Sequence, residues 1–208
     1  MTAFETIIFD LGGVLIDWNP AYVYRQVFST EEEVNWFLKN ITTSDWNENQ
    51  DAGKPIAEAT EELIQRFPDQ EVNIRIYYNR WEEMLGGPIN ETVEILGEIK
   101  NLTNKKLYAL TNWSAETFPV ALQKYSFLHW FDGRIVSGEE KTRKPFPDIY
   151  EKLIHRFSIN PDRAIYIDDN ERNLYPAKNM GMHVIHFKTP GLLREELDSL
   201  GVFKQAIC

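Results

Sequence analysis

Residues 6–20, TIIFDLGGVLIDWNP, run from a β-branched and aromatic stretch into Asp10, with Gly12 and Gly13 close behind. Other apolar stretches end in the same manner. KKLYAL (105–110) leads into Thr111-Asn112, AIYI (164–167) into Asp168-Asp169-Asn170, and HVIHF (183–187) into Lys188-Thr189. Lys144 lies in a polar run, KTRKPFPD. Two or three carboxylates, a lysine and a hydroxyl are the parts of a phosphate site with a divalent metal. Carboxylate oxygens are hard ligands suited to Mg2+, and a lysine and a hydroxyl suit phosphate oxygens. Each signal also has a plainer reading. Asp10 could cap a turn, Thr111 could be an ordinary strand residue and Asn112 a cap. The acids at Asp168-Asp169 could simply oppose the dipole of a following helix, and Lys144 has Lys141 and Arg143 as neighbours in a solvated loop.

What could bring these residues together is a parallel sheet. Short apolar runs without alternation read as strands buried on both faces, and GRIV (133–136) reads as a further one. Helical patterns separate them at 93–100, 115–125, 147–157 and 172–180, the last stopping at Gly181. Strand–helix alternation predicts a doubly wound α/β domain, with ligands beyond the carboxyl ends of the strands. That rule places Asp10, Thr111-Asn112 and Asp168-Asp169 at one edge. Asn173, one helical turn further on, is either their partner or a surface residue.

Residues 17–87 read differently. Asn19-Pro20 and Ser29-Thr30 before three glutamates look like helix starts. Apolar positions recur at helical spacing over 55–67 and 72–85, and no strand is expected. Gly86-Gly87-Pro88 reads as a breaker. The predicted architecture is a Rossmann-like parallel-sheet core (1–16 and 88–208) carrying an inserted all-helical cap domain (17–87). Of the cap tryptophans, Trp18, Trp36 and Trp81 are read as packing. The run SDWNENQDAGK is placed in a loop facing the site, where Trp46 and the Asn and Glu residues beside it could select substrate.

Composition bounds the rest. The chain has 208 residues, 43% of them hydrophobic, enough to bury a core. Its net charge of −10, from 32 acidic and 22 basic residues, disfavours nucleic acid but leaves room for a small anionic substrate in a locally basic site. No apolar run is long enough to span a membrane. The single cysteine, Cys208, permits no intrachain disulfide. A cytoplasmic location and a monomer or dimer are expected. The four histidines show no metal-ligand spacing.

The strand ending in Asp10, LTN at 110–112, RKPFPDIY around Lys144 and YIDDN at 166–170 occur in an order that resembles the haloacid dehalogenase-like hydrolase superfamily. The resemblance covers nearly the whole chain, helical insertion included. It implies that Asp10 is a nucleophile forming an aspartyl intermediate. Thr111 and the Asn112 backbone would hold a transferring phosphoryl group, and Lys144 would neutralise charge on it. Mg2+ would be bound by Asp10, by Asp169 with Asp168 beside it, and by the backbone carbonyl of Gly12, glycine freeing the main chain to present that carbonyl.

One position departs from the family pattern. Phosphatases of the family usually carry a second aspartate, a general acid and base, where this chain has Gly12. Loss of such an acid costs about 10²–10⁴-fold on a poor leaving group. The substrate would then have a good leaving group, or a water or a residue of the cap would supply the proton. The reading is a Mg2+-dependent phosphatase of a small phosphorylated metabolite, with a sugar phosphate as first candidate. Its rivals are a metal-independent 2-haloacid dehalogenase and a protein of the same fold without turnover. The adjacent Asp168-Asp169 pair weighs against the dehalogenase, because two like charges side by side call for a cation.

Overall fold

The computed structural model describes residues 4–203; Cys208 lies outside them. Five parallel strands form the central sheet: β1 (Thr6–Phe9), β4 (Lys106–Thr111), β5 (Gly133–Val136), β6 (Ala164–Asp168) and β7 (His183–His186), in the order β5-β4-β1-β6-β7. Side chains alternate between the two faces, as strand geometry requires. Ile7, Phe9, Leu107, Ala109, Ile165 and Ile167 join one buried cluster, and Ile8, Tyr108, Leu110 and Tyr166 join the other. Both faces are covered, so the strands read as continuous apolar runs.

Helices α6 (Asn90–Leu102), α7 (Phe118–Lys124) and α11 (Pro190–Ser199) contribute Ile95, Phe118 and Leu193 to the first cluster. Helices α9 (Pro147–Phe157) and α10 (Glu171–Asn179) contribute Tyr150, Leu153 and Leu174 to the second. A short helix, α8 (Ser137–Glu140), follows β5. Because β1 lies between β4 and β6, Phe9 pairs in register with Ala109 on one side and Ile167 on the other. The residues that follow all three strands therefore emerge side by side.

The inserted segment holds α1 (Ala21–Tyr24), α2 (Glu31–Asn40), α3 (Ser44–Asp51), α4 (Ile56–Arg66) and α5 (Glu71–Asn79). Thr30 starts α2 with a reciprocal cap: its side chain accepts from the Glu33 N–H, and the Glu33 carboxylate accepts from the Thr30 N–H. The expectation that 17–87 contains no strand is corrected at both ends. β2 (Ile16–Trp18) and β3 (Leu85–Pro88) pair antiparallel, Ile16 opposite Pro88 and Asp17 opposite Gly87. Leu85-Gly86-Gly87-Pro88 has almost no strand propensity; the pairing arises because the chain leaves and re-enters the core at one place. A Cβ on Gly86 would overlap the Asp17 carboxylate, so glycine there permits the close approach.

Trp46 is also corrected. It lies in α3, not in a loop, and Thr43 caps that helix by accepting from the Trp46 N–H at 3.1 Å. Among the described residues, no helix is long and apolar enough to cross a membrane.

Candidate active site

Asp10 stands one residue beyond β1, with its N–H donating to the Ile167 carbonyl at 2.9 Å. Its Oδ1 accepts from the Leu11 N–H at 2.7 Å and lies 2.9 Å from the Lys144 ammonium. Both contacts act on one oxygen and so orient the carboxyl. Lys144 is 1% exposed and also donates to Asp168 Oδ2 at 2.7 Å. Lys141 is exposed, and Arg143 is directed elsewhere, to Glu48. Lys144 is thus the lysine that the fold buries among the acids. Asn112 fixes its backbone from both sides, donating from Nδ2 to the Lys144 carbonyl at 3.0 Å and accepting the Lys144 N–H on Oδ1 at 2.8 Å.

The acidic pair divides into two unlike members. Asp168 is fully buried and saturated: it accepts from Lys144, from the Tyr166 hydroxyl, from the Asn170 N–H at 2.9 Å and from Asn173 Nδ2 at 3.0 Å. Asn173 is therefore a buried partner of the site. Asp169 turns outward, with its carboxylate against the backbone of Gly13. Gly13 has φ +74°, and a Cβ there would stand 2.8 Å from Asp169 Cγ. At Gly12 an added Cβ meets nothing within 4 Å. The steric need for glycine thus lies at Gly13 rather than Gly12.

Carboxylate oxygens of Asp10, Asp168 and Asp169 lie within 4.8 Å of one another. Burial, with Asp168 and Asp169 nearby, pushes the Asp10 carboxyl well above the usual carboxylate range, against the pull of Lys144. Burial and Asp168 likewise raise Asp169. For Lys144, burial works to lower the pKa, but Asp10 and Asp168 outweigh it and hold the ammonium up. Burial works to raise Asp168, and Lys144 with the surrounding donors outweighs that and holds it down. Three acids against one ammonium leave an excess of two negative charges when all are ionised. An all-oxygen donor set with that excess fits a divalent hard cation such as Mg2+.

Thr111 ends β4, 1% exposed, and Asn112 follows it. Beyond them a chamber of about 80 Å³ lies between the core and the inserted helices. Gly12, Asn112, Trp113, Ser114 and Thr117 line it from the core, Trp18 from the ribbon, and Asn47, Asp51, Tyr78 and Trp81 from the inserted segment. Trp46 does not line it. Its ring packs on Tyr77 at 5.1 Å and Tyr78 at 5.7 Å, and its Nε1–H donates to the Ala59 carbonyl at 3.2 Å. The next helical position carries the contact instead: Asn47 donates to Asp51 Oδ2 at 3.1 Å and accepts from the hydroxyls of Tyr77 and Tyr78.

Glu48 on the same helix bridges to the core, 2.9 Å from Arg143 and in contact with Arg172. Asn47 and Glu48 belong to the Asn and Glu residues of SDWNENQDAGK that were read as able to select substrate; Asp51 was not singled out by sequence reasoning. Thr43 as a cap, followed by i,i+4 spacing of Asn47 and Asp51, was the available signal.

A sequence profile described as haloacid dehalogenase-like hydrolase matches residues 7–187. A sesquiterpene phosphatase, astK, from Aspergillus oryzae is 24% identical over 185 residues, covering 89% of this chain and 90% of its own. A phosphorylated carbohydrates phosphatase from Thermotoga maritima is 25% identical over 189 residues, covering 88% of this chain and 84% of its own. Among solved structures, a HAD family enzyme from Bacteroides thetaiotaomicron in complex with magnesium and inorganic phosphate superposes with a TM-score of 0.66. It is 19% identical, and the match covers 90% of this chain and 96% of that one. At that identity the likeness is one of fold.

Proposed function

The chain belongs to the haloacid dehalogenase-like hydrolase family and is a hydrolase; on that premise we propose that it is a Mg2+-dependent phosphatase of small phosphorylated metabolites, with Asp10 as nucleophile. The observation that carries this reading is the buried Lys144 clamped between Asp10 and Asp168, with Asp169 alongside. Three acids held round one ammonium suit a substrate that arrives with a metal and a phosphate, and a halide-displacing site has no use for the surplus charge.

In the proposed cycle the Asp10 carboxylate, oriented by the Leu11 N–H and Lys144, attacks phosphorus and forms an aspartyl-phosphate. Lys144 sits at the attacking carboxylate and offsets charge on the phosphoryl oxygens. The Thr111 hydroxyl and the Asn112 backbone receive those oxygens. Asp168 and Asn173 act through Lys144 as positioning residues. Asp10, Asp169 and the Gly12 carbonyl would hold Mg2+, which would supply charge neutralisation when bound. Water then hydrolyses this acyl phosphate at phosphorus, releasing inorganic phosphate and freeing Asp10.

The chamber supports a small substrate with both apolar and polar surface. Aromatic faces from Trp18, Trp81 and Trp113 stand beside Asn47, Ser114 and Thr117. A sugar phosphate fits that mixture, and the name of the Thermotoga relative points the same way. The test is phosphate release from an aryl phosphate, sugar phosphates and an isoprenoid phosphate, with Mg2+ and with EDTA. Release that EDTA abolishes and Mg2+ restores is expected. Halide release from 2-haloacids, untouched by EDTA and without phosphatase activity, would overturn the reading.

A further inference from the structure

We infer that Asp51, on the inserted helix α3, is the proton donor to the leaving oxygen, an assignment that rests on the phosphatase reading above. Displacement of an alkyl phosphate leaves an alkoxide unless a proton arrives in the same step. At Gly12, beside the nucleophile, no side chain is present, and the space a Cβ would enter is open for 4 Å. That space belongs to the same chamber as Asp51.

Among the residues lining the chamber, the titratable ones are Asp51 and Tyr78. Tyr78 donates its hydroxyl to Asn47 at 3.2 Å, and burial drives its pKa far upward, so it is a poor acid. Asp51 is oriented by its own helix, Asn47 donating to its Oδ2 at 3.1 Å, and the Ser114 backbone, two residues past Asn112, lies close enough to favour its ionised form. This sets an inserted-segment acid beside the loop proposed to receive the phosphoryl group.

The charged groups facing Asp51 are Glu48 on its own helix and Arg143 and Lys144 on the core loop, with Tyr77 and Tyr78 from α5 beside it. Burial, seconded by Glu48, outweighs the Ser114 backbone and the two cations and pushes the Asp51 carboxyl up to about 7. A carboxyl in that range still carries its proton near neutrality, and a general acid works best when its pKa lies near the working pH.

The step balances. An Asp10 oxygen bonds to phosphorus while the bond from phosphorus to the leaving oxygen breaks. That oxygen keeps the electron pair and takes the proton of Asp51. In the second half, water adds to phosphorus, its proton passes to the Asp51 carboxylate, and the bond to Asp10 breaks with release of phosphate. Asp51 ends as it began.

The experiment compares Asp51→Asn with the wild type, with Mg2+, on glycerol phosphate and on 4-nitrophenyl phosphate, whose nitrophenolate leaves without protonation. The expected fall in kcat/KM is about 10²–10⁴-fold for the alkyl ester and under about tenfold for the aryl ester. Equal losses on both would overturn the assignment and make Asp51 a positioning residue. Undiminished alkyl turnover would also overturn it. A wild type that releases no phosphate from either ester would refute the phosphatase reading itself, and this assignment with it.

A carboxyl-carbon NMR titration of the metal-free wild type gives a readout independent of activity and of how the variant folds. A midpoint for Asp51 at about 7 is expected; a midpoint in the ordinary aspartate range, about 3.5, would contradict the assignment.

Discussion

Lys144 illustrates how a single side chain organises the site. Its ammonium reaches Asp10 and Asp168 at once, and its backbone is pinned by Asn112. Burying such a charge is expensive unless it is paired and hydrogen-bonded, and here both conditions hold. The glycines of the same loop are not equivalent. Gly13 combines a left-handed φ with contact on the Asp169 carboxylate, whereas Gly12 has neither constraint. Gly13→Ala is therefore expected to lower stability by about 1–3 kcal/mol and Gly12→Ala by under about 1 kcal/mol, as measured by urea unfolding without metal. Equal costs would contradict the steric account. At this scale the acids were legible, because a strand ending in a carboxylate stands out in an apolar run. Lys144 was picked out by the motif around it rather than by type, since Lys141 and Arg143 are basic neighbours; burial and the pairing of Arg143 with Glu48 separate them in the fold. The unlike behaviour of Asp168 and Asp169 was not legible, because it depends on donors from Tyr166, Asn170 and Asn173.

The element that carries most of the unread information is α3. Its sequence, SDWNENQD, is polar enough to pass for a loop, and only the Thr43 cap marks it as a helix. Once it is helical, Trp46 and the buried Gln50 fall on one face, and Asn47 and Asp51 on another that meets the chamber. Glu48 then lies where it can bridge to Arg143, beside Lys144, and to Arg172, at the start of the helix that follows the acidic pair. Its side chain is 13% exposed, so these bridges are more sheltered than ordinary surface pairs. This contact holds the inserted segment over the strand ends. Glu48→Gln is expected to raise KM about three- to tenfold and to speed amide hydrogen exchange in 44–51. Unchanged KM and unchanged exchange would show that the bridges do not hold the segment closed. The β2–β3 ribbon is the other element that local propensity did not announce, because its pairing comes from the chain returning to its own point of exit.

For the molecule as a whole, topology explains why residues scattered from 10 to 169 act together. With β1 flanked by β4 and β6, the ends of three strands deliver Asp10, the Thr111 hydroxyl and the Asp168-Asp169 pair to one edge. The parallel core was legible because strands buried on both faces write themselves as apolar runs. The partner surface was not, since the inserted helices meet that edge through side chains whose facing depends on packing. The net charge of −10 carries into the site, where three acids outnumber the one buried ammonium, an excess that the proposed cation would offset. The central claim is that Asp10 takes the phosphoryl group. Rapid quenching during turnover of an aryl phosphate with Mg2+, followed by peptide mass spectrometry, tests it most directly. Covalent phosphate on the peptide at Asp10, absent from Asp10→Asn, is the predicted result; phosphate release with no phosphorylated Asp10 at any time point would contradict the account.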